Sequence, residues 1–174
     1  IQNFNGTDFS VELPIHFDLL KKLDEFQPQV VHTHHPFLIG DTALRIEEKY
    51  EIPLVFTHHT LYEEYTHYVP LKAKTLKPFV INLGTEYANL CDYVIAPSKS
   101  IERLLAERGV KTEKCVIPTG IYVDRFIKGD GQRFREQNAI RRNSPVVGTV
   151  GRMAPEKNID FLVKAVILFL QKQE

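Results

Sequence analysis

Histidines that follow short apolar runs are the first residues in this sequence that could do chemistry. Two pairs, His34-His35 and His58-His59, each stand directly after such a run. A neutral imidazole can bond a sugar hydroxyl or a phosphate oxygen as donor or acceptor, and it is also a common metal ligand. No Asp, Glu or Cys accompanies the pairs at a familiar metal-ligand spacing, so substrate contact is favoured over a metal site, for His34 first and His59 second. The alternative that they only bond loop carbonyls stays open.

A second cluster lies near the end of the sequence, where residues 148–158 (GTVGRMAPEKN) join an apolar run to a helical pattern. A helix N-terminus presents unpaired N–H groups and a partial positive charge, so it attracts anions. The guanidinium of Arg152 and the ammonium of Lys157 would add to that attraction and favour a diphosphate. The alternative is that both are solvated loop charges, or that one of them pairs with Glu156.

The elements that must position these residues are predicted from apolar runs that alternate with helical patterns, which is typical of βαβ units and a parallel sheet. Ligands of such sheets bind beyond the carboxyl ends of the strands, where both histidine pairs, Ser98 and Thr119-Gly120 would lie. His32 is expected to pack within the sheet, and the segment 61–77 to form a loop or broken helix. Pro78 is expected in the first turn of a helix, Ser98 as an N-cap and Gly109 as a C-cap residue. The predicted strands are 30–35, 54–57, 93–96, 116–117 and a buried 146–151, and the predicted helices are 15–26, 38–50, 78–90, 98–107 and 158–170.

The length allows one α/β domain and a small piece of a second, and we expect the first of them to be a partial N-terminal domain. We expect a first domain over 1–127, a polar linker over 128–144 and the first β-α unit of a second domain over 145–174. The sequence starts at Ile1 without an initiator methionine and ends soon after a helical pattern, so we expect it to be a fragment.

Net charge, cysteine content and the length of apolar runs argue against several classes of protein. The 22 basic and 22 acidic residues cancel, and the isoelectric point is near 7.2, which argues against a nucleic-acid partner. The two cysteines are too few for a disulfide framework. No apolar run approaches the roughly 18 residues that span a bilayer. We therefore expect a cytoplasmic protein.

Four segments resemble the retaining nucleotide-sugar glycosyltransferases of family 4, which have the GT-B architecture of two facing Rossmann-like domains. The segments are 31–36 (VHTHHP), 56–60 (FTHHT), 117–121 (IPTGI) followed by Asp124 and Phe126, and 150–158 (VGRMAPEKN). The resemblance covers nearly the whole chain. The family's glycine-rich opening loop and its downstream E-x7-E segment are missing from the sequence.

The resemblance implies roles for individual residues. His34 matches the active-site histidine near the transferred sugar, and Arg152 and Lys157 match the pair that holds the donor diphosphate. Residues 35–38 and 60–65 resemble a bacterial subgroup that glucosylates diacylglycerol. Expected contacts with donor or acceptor are His59, Gly120, His35, Tyr62 and Tyr65, although the two tyrosines could equally be packing residues.

These roles imply a hexosyltransferase that uses a nucleotide-sugar, UDP-glucose in particular, and a lipid or glycan acceptor. The resemblance implies no metal and no other cofactor, and it implies peripheral association with the inner face of the membrane. Two alternatives stay open. One is a nucleotide-sugar epimerase, which would need acidic groups near the histidines. The other is an inactive scaffold that only binds sugar nucleotides.

Overall fold

The computed structural model describes residues 2–3, 10–11, 17–64, 73–151, 153–154 and 157–172. The chain divides into two compact units, Ile1–Gly120 and Ile121–Glu174, and each is described by itself. The limits predicted for the domains and the linker stay predictions.

The first unit is built on a parallel sheet of four strands, β3 (Val31–Thr33), β4 (Leu54–Thr57), β5 (Tyr93–Ala96) and β6 (Lys114–Val116), in that spatial order. Helices α2 (Ile39–Tyr50), α3 (Ala73–Leu90) and α4 (Lys99–Glu107) alternate with the strands along the chain. Strands β1 (Gln2–Asn3) and β2 (Ser10–Val11) form an antiparallel pair, and helix α1 (Phe17–Phe26) precedes β3. The α/β class with a parallel Rossmann-like sheet is confirmed.

The core lies under one face of this sheet because alternate residues of a strand point to the same side. Leu54 and Phe56 of β4 and Val94 and Ala96 of β5 are completely buried. Helix residues cover them. These are Ala43, Tyr87, Ala88 and Leu105.

The predicted N-cap of helix α4 is confirmed, and the glycine predicted to cap its C-terminus lies one position after the cap. The Ser98 hydroxyl accepts a hydrogen bond from the backbone N–H of Ile101 at 3.3 Å. Gly109 has a φ of +92°, which a residue with a side chain rarely adopts, and it directly follows Arg108, the C-cap residue of the helix.

Helix α3 corrects the prediction for the segment before Pro78. The helix begins at Ala73, so Pro78 is its sixth residue and lies inside it. The first four N–H groups of a helix have no acceptor within the helix, so a proline this close to the start removes only one or two internal bonds. Between β4 and α3 the chain makes one 3₁₀ turn at residues 62–64, and the rest of the predicted loop as far as residue 72 lies outside the described residues.

The second unit contains helices α5 (Asp124–Ile127), α6 (Gly131–Gln137) and α7 (Ile159–Gln171). The predicted buried strand over 146–151 is wrong, because these residues are irregular and exposed, Val150 completely so. A strand needs a hydrogen-bonded neighbour, and the described part of this unit offers none. The predicted helix at the end of the chain is present as α7, and its Phe169 and Leu170 are 54% and 55% exposed. None of the described helices combines the length and hydropathy that crossing a bilayer requires.

Candidate functional site

A strip of polar side chains lies on the outer face of β3 and β4, at their carboxyl ends. Thr33 pairs with Phe56 in the parallel register, and continuing that register places His34 beside Thr57. Residues two apart in a strand share a face. The polar strip therefore consists of His32, His34, Thr57 and His59.

Two members of the polar strip, His34 and His59, are hydrogen-bonded to each other. Nδ1 of His34 lies 2.8 Å from Nε2 of His59, and the rings are close to parallel, with centroids 5.0 Å apart. Nε2 of His34 has no hydrogen-bond partner among the described residues, and the side chain is exposed. These two histidines are the ones predicted from the sequence to contact substrate, and the structure brings them together at the expected edge of the sheet.

His32 differs from its predicted place. It is exposed on the outer face, and its ring centroid lies 4.3 Å from that of His34. Its Nε2 is 2.7 Å from the Thr57 hydroxyl oxygen, and Thr57 itself is buried. Sequence reasoning missed both residues as members of the site. The two-residue spacing of His32 from His34, and of Thr57 from His59, is the signal that would have found them.

Two imidazoles of the polar strip, those of His32 and His59, have a lowered pKa, which favours their neutral forms. Burial lowers the pKa of His59, and the neighbouring His34 lowers it further. Burial also lowers the pKa of His32, with added effects of His34 and His59. A neutral imidazole has one donor and one acceptor nitrogen, so the strip can offer both to a sugar hydroxyl. No group of three His, Cys, Asp or Glu residues in the described part of the chain is placed to hold a metal ion.

The remaining histidines at this edge lie on the inner face, within an aromatic cluster. The Tyr62 ring stands edge-on to His35 and Phe37 at 5.1 Å from each, and to His58 at 6.2 Å. The Tyr62 hydroxyl donates to the backbone carbonyl of His34 at 3.2 Å, and burial raises its pKa to about 12. Tyr62 therefore packs in this structure and supports the backbone of the polar strip. Its contact with an acceptor stays a prediction.

His58 is buried beneath the rim and does not reach its open side. Its side chain is 5% exposed, and its Nδ1 has no hydrogen-bond partner among the described residues. Burial lowers the pKa of His58, and the nearby Arg108 lowers it further. Of the four histidines that the sequence places at this rim, His34 and His59 are on the outer face, and His35 and His58 are on the inner one.

A glycine at the start of α2 allows the helix to approach the loop that carries His34 and His35. A Cβ atom on Gly40 would lie 2.5 Å from the carbonyl oxygen of His35 and 3.0 Å from the Tyr87 ring. The Tyr87 hydroxyl donates to the Gly40 carbonyl at 3.1 Å. Helix, loop and Tyr87 thus meet at a point where no side chain fits.

We expect Gly40→Ala to destabilise the protein by about 1–3 kcal/mol, the usual cost of overpacking, because the backbone of the loop must move. Urea unfolding of the full chain measures the change. Gly84→Ala in α3 is the matched control: its Cβ would meet nothing within 4 Å, and alanine there should be neutral or stabilising. Equal stability of the two variants would contradict the role of Gly40.

The structure describes some of the other predicted site residues and not others. The backbone N–H of Ile117 donates to Ala96 at 3.0 Å, so β6 stays beside β5 to that point, and Gly120 follows three residues later, exposed. Lys157 belongs to the second unit, is exposed, and lies two residues before Ile159, the first residue of α7. Arg152 and Tyr65 lie outside the described residues.

The N-terminus of α7 is open on one side. Met153, Ala154, Asn158, Ile159 and Asp160 line a hollow of about 410 Å³ there. Asp160 places a carboxylate in the first turn, where negative charge is favoured by the helix dipole. A phosphate at this terminus would share the helix dipole with that carboxylate, so the cationic side chains of the loop become more important for holding it.

Comparison with known proteins shows to which family the chain belongs. Residues 2–125 match the sequence model of Glycosyltransferase Family 4. The chain belongs to this family. The match includes the polar strip and the whole parallel sheet, and it confirms the resemblance seen in the sequence.

Individual proteins of known name are similar to this sequence over most of the chain. An alpha-monoglucosyldiacylglycerol synthase of Acholeplasma laidlawii is 32% identical over 163 residues, which cover 86% of this chain and 40% of that protein. A protein of the same name from Streptococcus pneumoniae is 31% identical. The matched segment covers 86% of this chain and 35% of that protein. A GDP-mannose-dependent alpha-mannosyltransferase of Mycobacterium tuberculosis is 28% identical, with coverages of 84% and 38%. The chain thus spans well under half the length of these relatives.

Proposed function

We propose that the full-length protein containing this chain transfers a hexose from a nucleotide diphosphate sugar to a lipid acceptor, with retention at the anomeric carbon. The observation that carries the proposal is the His34–His59 pair at the carboxyl end of a parallel sheet in a family 4 chain. Ligands of such sheets bind at this edge. The exposed Nε2 of His34 offers a hydrogen bond to a sugar hydroxyl there.

Departure of the diphosphate is the step that needs positive charge. Breaking the bond between sugar and phosphate leaves negative charge on the diphosphate oxygens. Arg152 and Lys157, with the N-terminus of α7, are proposed to stabilise that charge, a contribution that removal of one group usually reveals as a large loss of turnover. A two-carboxylate mechanism of the glycosidase kind is not part of the proposal. No metal or further cofactor is part of the proposal.

The donor and acceptor are proposed from the relatives. Two of them bear names that specify a glucosyl group on diacylglycerol, which supports glucose as the sugar and a diacylglycerol-type lipid as the acceptor. We propose UDP-glucose as the donor, and cytoplasmic action at the inner face of the membrane, where such a lipid is accessible.

Transfer of radiolabelled sugar tests the function. The full-length protein is incubated with UDP-[¹⁴C]glucose and vesicles that contain diacylglycerol, and the lipid extract is analysed for an α-linked glucolipid. His34→Ala should lower turnover about tenfold, since one hydrogen bond to the sugar is lost. Transfer only from GDP-mannose would overturn the choice of donor. Formation of an epimer without acceptor would favour the epimerase, and no reaction with any donor would overturn the proposed activity.

A further inference from the structure

We propose that Arg108 is a positioning residue, which holds the turn after β4 through Glu63 and so fixes His59 beside His34. The inference rests on the proposed function in one respect, namely that the two histidines meet the sugar. Arg108 lies at the end of α4, an element that contributes no residue to the polar strip.

The segment that follows β4 supplies two neighbours of His34. Nε2 of His59 lies 2.8 Å from its Nδ1, and the Tyr62 hydroxyl donates to its backbone carbonyl at 3.2 Å. The sheet fixes the beginning of this segment, because the backbone N–H of His58 donates to the carbonyl of Ile95 on β5 at 2.9 Å. After His58 the chain leaves the sheet, so the positions of the two neighbours depend on what holds the 3₁₀ turn.

A buried ion pair holds this turn. Nη2 of Arg108 donates a hydrogen bond to Oε1 of Glu63, the middle residue of the turn, and the two side chains are 17% and 7% exposed. Burial keeps water from competing for the two groups, which strengthens a charge-assisted hydrogen bond. Arg108 is itself held, because its backbone N–H donates to the carbonyl of Leu104 at 3.0 Å. The turn is thus tied to a helix whose Leu105 lies in the core.

The energetics of buried ion pairs favour a positioning role over a purely stabilising one. Taking two charges out of water is costly, so apolar side chains of similar volume often stabilise a protein as well as a buried ion pair does, or better. Apolar side chains, however, pack in several arrangements, whereas a charge-assisted hydrogen bond requires a narrow range of distances and angles. The pair therefore favours one position of the turn, and with it one position of His59 and Tyr62.

A second ion pair on the same turn gives a matched comparison. Nζ of Lys77 on α3 lies 3.2 Å from Oε1 of Glu64, and the two side chains are 44% and 58% exposed. Exposed pairs of this kind are weak and are screened by salt. We expect this pair to have little influence on where the turn lies.

Two double variants of the full-length protein separate positioning from stability. Glu63→Leu/Arg108→Met replaces both buried charges by apolar side chains, so its urea midpoint should stay close to that of the wild type. Its kcat/KM should nevertheless fall about tenfold or more, because a small displacement of a contact residue is costly to turnover. The matched control Glu64→Leu/Lys77→Met should leave the urea midpoint unchanged and kcat/KM within about twofold.

Glu63→Asp decides the question if the first double variant does not fold. This variant keeps both charges and shortens one side chain by a methylene group, so either the bond to Arg108 is lost or the turn moves toward α4. In both cases we expect kcat/KM to be about tenfold lower. A wild-type kcat/KM in Glu63→Asp or in the folded double variant would overturn the inference, and so would an equal loss in the matched control.

A spectroscopic readout on the protein alone tests the positioning independently of activity. The proton between Nδ1 of His34 and Nε2 of His59 should give a ring N–H signal in ¹H–¹⁵N spectra of the wild type and the matched control, because the hydrogen bond slows its exchange with water. In Glu63→Asp and in Glu63→Leu/Arg108→Met this signal should weaken or disappear. An unchanged signal in these variants would overturn the inference. If the signals behave as expected but neither the wild type nor any variant transfers sugar, the inference stands and the proposed function fails.

Discussion

Replacing Arg152 by alanine in the full-length protein is expected to lower turnover about 100-fold or more, the usual loss when one group that stabilises developing negative charge is removed. The expectation rests on the matching loop sequence of the family and on the helix that follows it, because Arg152 lies outside the described residues. Steady-state kinetics with the labelled donor measure the effect.

Lys164→Ala is the matched control for this experiment. Lys164 is also a cation of the second unit, but it lies within α7, exposed and beyond the first turn. Its removal should leave turnover within about twofold, because exposed charges away from the site are strongly screened. If Arg152→Ala retains the wild-type turnover, the assignment of the donor diphosphate to this loop is wrong.

Removal of Arg108 is expected to cost about 3–5 kcal/mol of folding stability, the usual loss when one member of a buried ion pair is removed. Arg108, at the end of α4, pairs with Glu63 in the 3₁₀ turn after β4, and their side chains are only 17% and 7% exposed. Arg108→Met keeps the length of the side chain and removes its charge. Urea unfolding of the full chain, followed by circular dichroism, measures the loss.

An exposed ion pair of the same unit provides the comparison. Nε of Arg45 lies 2.9 Å from Oδ2 of Asp41 on α2, and the two side chains are 74% and 53% exposed. Arg45→Met should cost at most about 0.5 kcal/mol, as surface pairs of this spacing usually do. Similar losses in both variants would show that burial does not strengthen the pair between Arg108 and Glu63.

The part of the fold that depends on local sequence could be predicted. The limits of β4 and β5 follow from their apolar runs. The start of α4 follows from Ser98, because its hydroxyl accepts a hydrogen bond from an N–H group only three residues further along the chain. The start of α3 could not be predicted in this way, because a proline is compatible with a first turn and also with a position slightly further in. The strand over 146–151 failed for a different reason: its apolar sequence suits a strand, but pairing depends on a partner elsewhere.

The candidate site shows the same division. Topology alone predicted that His34 and His59 meet at one edge of the sheet, and they do. Which histidines share a face depends on the pairing register of β3 and β4, which no single segment reveals. His32 was therefore misplaced, and Thr57 was overlooked. The roles of Arg152 and Lys157 stay predictions from the family resemblance.

The pairing of β3 with β4 also limits how this protein can change over evolutionary time. Deleting or inserting a single residue within β4, ahead of Thr57, would turn the outward residues inward and place Phe56 and His58 on the outer face instead. The contact between His34 and His59 and the contact between His32 and Thr57 would both be lost, although no histidine had been substituted. Length changes in descendants of this chain should consequently collect in the connecting loops, and those within β3 or β4 should occur in steps of two.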